Sequence, residues 1–141
     1  MKRRLAAAFG AIAVVWTLAA EAQETFKTRL SPVPIDAQLA PVVTGHGSVS
    51  AVLAGTKLTV TGTFEGMRSA ATAAHLQQSK MTGVRGVVTH ELTVSKATSG
   101  TVSGAVDLTP PEVEALRKGL LYVLVNSVGA PDGNLWGWLL K

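Results

Sequence analysis

YVLVNSVGAPDGNLWGWLL, residues 122–140, reads as two β-strands around a tight turn and holds two of the three tryptophans of the chain. Pro131-Asp132-Gly133 supplies the turn: proline presets φ, aspartate bonds its own backbone, and glycine takes φ > 0 without a Cβ clash. A three-residue loop ending in glycine is a common hairpin closure, and pairing Ala130 with Asn134 then sets the register. Val128 falls opposite Trp136, Asn126 opposite Trp138 and Leu124 opposite Leu140, all on one side because strand side chains alternate. Val125, Ser127, Gly137 and Leu139 take the other side. Both faces are largely apolar, so one is core and the other is either covered by the chain or open to a partner.

Upstream of the hairpin the chain repeats this strand-and-turn grammar. The arm 23–44 is polar to mixed and carries Pro32, Pro34 and Pro41, with 26–30 reading as an edge strand ahead of the prolines. Gly45, His46 and Gly47 read as a turn. Val49, Ala51 and Leu53 then alternate with polar neighbours, and after Gly55 the residues Leu58, Val60, Gly62 and Phe64 alternate with Thr59, Thr61, Thr63 and Glu65. That is a half-buried antiparallel strand with a threonine-rich outer face. Gly66 to Ser69 turn again, 71–78 is a strand containing His75, 80–86 is a loop, and 87–95 and 100–108 are two further strands. Thr109 has the form of an N-cap, with Pro110 at the first helical position, Glu112 three residues on and Lys118-Gly119 at the exit. One short helix, 110–118, is therefore expected before the hairpin. Short strands, frequent turns and a single helix predict an all-β antiparallel sandwich or barrel.

The first residues are of a different kind. Lys2, Arg3 and Arg4 precede a charge-free apolar run over 5–20, and Ala20-Glu21-Ala22 offers small residues for cleavage. This predicts a secretory signal peptide over 1–22 and one domain over 23–141. The apolar run is shorter than the ~20 residues of a spanning helix, so no integral membrane span is expected after signal removal. Without residues 1–22 the formal charge falls from +4 to +2, and the remaining bases are scattered. Nucleic acid is not an expected partner. With no cysteine, the domain has no disulfide and no thiolate site, and it must hold itself by packing.

Several stretches taken in order carry a family resemblance. They are GHGSVSAVLAGTKLTVTGTFEGM, AAHLQQ, GVRGVV, LTPPEVEALRKG and YVLVNSVGAPDGNLWGWL. Together they make the chain similar to the CHRD domain family, named for the repeats of chordin and also found singly in bacterial exported proteins. The resemblance covers about 26–140 and is most specific in the C-terminal third. It implies an immunoglobulin-like β-sandwich or barrel of no established biochemical activity. The family usually carries His-x-His where this chain has His75-Leu76-Gln77. It usually has a histidine at the place of Asn126, and Arg and Gln around the glycine that Trp136 and Trp138 flank here. A polar outer face has become aromatic and apolar.

Two site readings follow. One is a partner-binding face of Leu124, Asn126, Val128, Trp136 and Trp138, since an exposed apolar patch marks a contact and aromatics bury much area per side chain. Its partner would be a protein or a glycan. The other is a copper or zinc site using His46, His75 and His90, because imidazole suits those metals. None of the three histidines sits at a ligand spacing by itself, and the first reading calls for no cofactor. No nucleophile elbow, phosphate loop or marked carboxylate pair is present, so no catalytic residue is assigned. The sequence therefore predicts an exported binding or accessory module, periplasmic or extracellular, and not an enzyme.

Overall fold

Alternation becomes sheet at every segment that shows it. The computed structural model describes residues 22–141, so the expected leader over 1–22 lies outside the described residues apart from Ala22. Strands β1 (Glu24–Pro32), β2 (His46–Ala54), β3 (Lys57–Glu65), β4 (Ala71–Gln78), β5 (Val87–Val94) and β6 (Gly100–Asp107) come first in the chain. Helix α1 (Pro110–Arg117) and strands β7 (Leu121–Ser127) and β8 (Leu135–Trp138) complete it. The ladders are antiparallel and close into a barrel of order β1-β2-β3-β6-β5-β4-β7-β8. The expectation of an all-β antiparallel fold with one short helix holds.

Two seams of the barrel are short. β5 meets β6 only through Thr93–Ser103 and Val94–Val102. β1 meets β8 through Ser31–Trp136 and Pro32–Leu135, extended by the Lys27–Leu140 bridge. β1 is thus no edge strand: it pairs with β2 along most of its length and with β8 at its end. Pro32 ends the strand, since proline has no N–H for a further ladder bond. The turn expected at Gly45–Gly47 is shorter than that. His46 and Gly47 already pair with Glu65 and Phe64, and only Gly45, at φ 111°, turns the chain.

The interior follows parity. Phe26, Leu30, Val49, Ala51, Leu53, Leu58, Val60, Leu76 and Val102 point inward, with Val123, Val125, Leu135 and Leu139 from the C-terminal hairpin. Burying one such side chain contributes about 1.5–3 kcal/mol, so a cysteine-free domain of this length can be held by its core. α1 adds Val113, Ala115 and Leu116 to that core. Its start is the expected capping box: Thr109 Oγ1 accepts from the Glu112 N–H, and the Glu112 carboxylate accepts from the Thr109 N–H at 3.1 Å. The second oxygen of Glu112 lies 2.7 Å from Nε2 of His90, tying the helix start to β5. Burial pushes the Glu112 carboxyl up, but the Thr109 N–H, His90 and the Thr109 hydroxyl outweigh it and leave it below its ordinary 4.5.

Candidate functional site

The C-terminal hairpin presents two faces, as its sequence requires, but in a different register. Leu124 lies opposite Trp136, Tyr122 opposite Trp138 and Val125 opposite Leu135. The expected pairs Val128–Trp136, Asn126–Trp138 and Leu124–Leu140 do not form. The loop is longer than three residues because β7 leaves its partner early. Val128 N–H donates to the Ala70 carbonyl and Gly129 N–H to Ser69 Oγ, drawing this segment toward the start of β4. Ser127 and Ala130 close a small turn of their own, and Gly133 N–H bonds to Ala130. The slip is four residues in pair sum, an even number, so side-chain parity within the paired strands survives and Leu124, Trp136 and Trp138 stay on one side.

On the outside of the barrel, Tyr122, Trp136 and Trp138 form one aromatic cluster. Trp138 lies over Tyr122 with ring centroids 4.2 Å apart, and Trp136 meets both rings edge-on at 5.8 and 6.0 Å. These are favourable offset and edge-to-face geometries. The face is partly roofed. Val33 and Val43 of the proline-bearing arm are buried against Tyr122, Leu124 and Ala130, and Val42 packs at the margin. Tyr122 and Leu124 are inaccessible as a result, Leu124 at 2% exposure. Trp136 and Trp138 are only half-buried and remain available. Val128 is 68% exposed but stands apart on the loop, so it leaves the predicted face.

Polar groups pin the roof down. The Tyr122 hydroxyl donates to Gln77 Oε1 at 2.5 Å and accepts from Gly86 N–H at 2.8 Å, fastening the β4–β5 loop. Arg85 reaches from that loop to the Asp132 carbonyl. Asn134 accepts from Ser127 Oγ at 2.8 Å and donates to the Thr44 carbonyl at 2.9 Å, tying the hairpin loop to the arm. Asn126 donates to the Pro131 carbonyl at 2.7 Å and is 9% exposed, so it braces the loop rather than standing on an open surface. Among the described residues its Oδ1 has no hydrogen-bond partner, and neither does the buried Nδ1 of His75. Of the five residues expected at a partner-binding face, the structure leaves Trp136 and Trp138 half-buried on the outer side of the barrel. It buries Leu124 and Asn126 and removes Val128. Tyr122, Gln77 and Arg85 were not expected there, although the even numbering that Tyr122 shares with Leu124 already marks it as a member of that face.

The three histidines do not converge. His46 on β2 pairs with Glu65 at 2.8 Å, and His90 on β5 pairs with Glu112. His75 on β4 lies between Leu124 and Glu91 of the neighbouring strands. Among the described residues no group of three or more His, Cys, Asp or Glu could hold a metal ion. The copper or zinc reading thus finds no support among the described residues: each strand sends its histidine to a different place, and His46 and His90 sit against glutamates. No described helix is long and apolar enough to cross a membrane.

Comparison with known proteins bears on the whole chain. No curated protein and no solved structure matches it. The family model of the CHRD domain matches residues 16–139. This takes in every strand, the capped helix and the aromatic hairpin, and on that match the chain belongs to the CHRD domain family.

Proposed function

We propose that this chain is an exported binding or accessory module that engages its partner, a glycan or a protein, through the Trp136–Trp138 ledge. The observation that carries the reading is that two large rings lie outside the barrel core, Trp138 over a buried tyrosine and Trp136 edge-on to it, and both are only half-buried. Rings fixed by neighbours lose little freedom when they take a partner, which favours binding. Their support is fixed: Tyr122 is hydrogen-bonded on both sides, and Val33 and Val43 of the arm pack in the same cluster. The apolar leader with its basic start supports export, to the periplasm or beyond. The immunoglobulin-like character implied by the family resemblance belongs to the same proposal, and the two short seams that divide the barrel into two faces favour it.

Acrylamide quenching of tryptophan fluorescence tests the ledge in a Trp16→Phe background, where the hairpin rings are the only tryptophans. The expected result is quenching intermediate between a core tryptophan and a free one, with the Trp136→Ala/Trp138→Ala variant still folded by circular dichroism. Fully shielded emission together with an unfolded double variant would mean that the rings serve stability alone.

A further inference from the structure

The outer surface next to the ledge has a composition of its own. The Ser31–Trp136 pair and the Lys27–Leu140 bridge bracket Arg29, which places Arg29 opposite Trp138 in the β1–β8 ladder. From Arg29 the same outward row continues through Ser48 and Thr63 to Thr101, and from Lys27 through Ser50 and Thr61 to Ser103. These rows line a shallow open concavity of about 960 Å³. Strands lie about 4.8 Å apart and same-face residues about 6.8 Å apart along a strand, so the hydroxyls form a lattice on the scale of linked sugar rings.

Charge selects among possible ligands. The lining of the concavity contains Lys27 and Arg29 and no carboxylate. Among the described residues neither cation takes part in a salt bridge. The carboxylate one row beyond, Glu65, is held by His46 at 2.8 Å. We infer that this face binds an acidic glycan, a chain bearing uronate groups, with Lys27 and Arg29 on its carboxylates. The serine and threonine hydroxyls meet its ring hydroxyls, and Trp138 stacks on a sugar at the end of the row. Arginine offers a planar fork that matches a carboxylate, and serine and threonine both donate and accept. The inference deepens the binding-module reading and rests on it for the part played by the ledge.

Isothermal titration of the full chain with oligogalacturonate, and separately with a neutral cello-oligosaccharide, tests it. The variants are Lys27→Ala/Arg29→Ala, Trp138→Ala and the charge-matched control Lys57→Ala/Lys118→Ala. All four basic side chains are exposed, so the folds should persist. The expected result is saturable uronate binding that falls at least about tenfold in Lys27→Ala/Arg29→Ala and not in the control, each lost contact being a charge-assisted hydrogen bond. Three results would overturn the inference: no uronate binding at millimolar concentration, equal loss in the control, or uronate binding indifferent to both basic pairs. Binding of the neutral sugar that depends on Trp138 but not on Lys27 and Arg29 would also overturn it, while leaving the ledge reading intact. Uronate binding that depends on Lys27 and Arg29 but not on Trp138 would support the basic face and count against the ledge.

Discussion

Replacing Tyr122 by Phe removes one oxygen from a residue with no solvent exposure and should cost more than its size suggests. The aromatic contacts with Trp136 and Trp138 are kept, because the ring remains. Two polar partners are not. Gln77 Oε1, in a residue 6% exposed, loses the donor at 2.5 Å, and Gly86 N–H loses its acceptor at 2.8 Å. A buried polar group left without its partner costs about 1–3 kcal/mol. Gly86 is only half-buried and recovers part of its loss to water, so ~2–3 kcal/mol is expected for the pair. For a domain of this length that is a fall in Tm of roughly 6–12 °C. Urea unfolding followed by tryptophan fluorescence measures it, and Gln77→Leu provides the second arm. With both partners apolar, Tyr122→Phe/Gln77→Leu should destabilise by less than the two single changes added together. A loss below about 0.5 kcal/mol in Tyr122→Phe, or strict additivity in the double variant, would refute the claim that this hydroxyl fastens the β4–β5 loop over the outer face.

Two further predictions concern the helix start and the barrel seam. The Glu112 carboxyl lies below its ordinary 4.5 in the folded chain, so its contribution is fully present above that value and is lost as pH falls through the lowered one. Acid unfolding should therefore show less pH dependence below 4.5 in Glu112→Gln than in the parent chain, and unchanged acid sensitivity would contradict the capping role. Gly137→Ala would place a Cβ 2.6 Å from the Arg29 carbonyl, which is backbone and cannot swing away. A loss of about 1–3 kcal/mol is expected from this overpacking, with faster amide exchange at Lys27 and Leu140; an unaffected seam would show that β1 and β8 have room to part.

The candidate site is partly legible in the sequence. Trp136 and Trp138 could be assigned to one face because strand parity is a local property, and parity withstood the error in register. The pairing itself was not legible. It turned on Ala70 and Ser69, some sixty positions away, capturing the N–H groups of Val128 and Gly129. Asn126 looked like a surface residue by its place in an outward series. It proved to be a brace because the loop it faces folds back to offer the Pro131 carbonyl. Where the histidines go was not legible for a similar reason: His46 and His90 sit against glutamates that lie nineteen and twenty-two positions away.

From the sequence alone came the strands, the capped helix at Thr109, the inward residues of β2 and β3, the absence of disulfides and the family resemblance. All of these rest on interactions within a few residues, on alternation along one strand, or on composition. Only the tertiary structure decided that β1 closes the barrel against β8, that Val33 and Val43 roof Tyr122 and Leu124, and that Arg29 falls in line with Trp138. Each of those depends on which distant backbone groups satisfy one another. Local propensity does not encode that choice; it emerges when every buried N–H and carbonyl must find a partner at once.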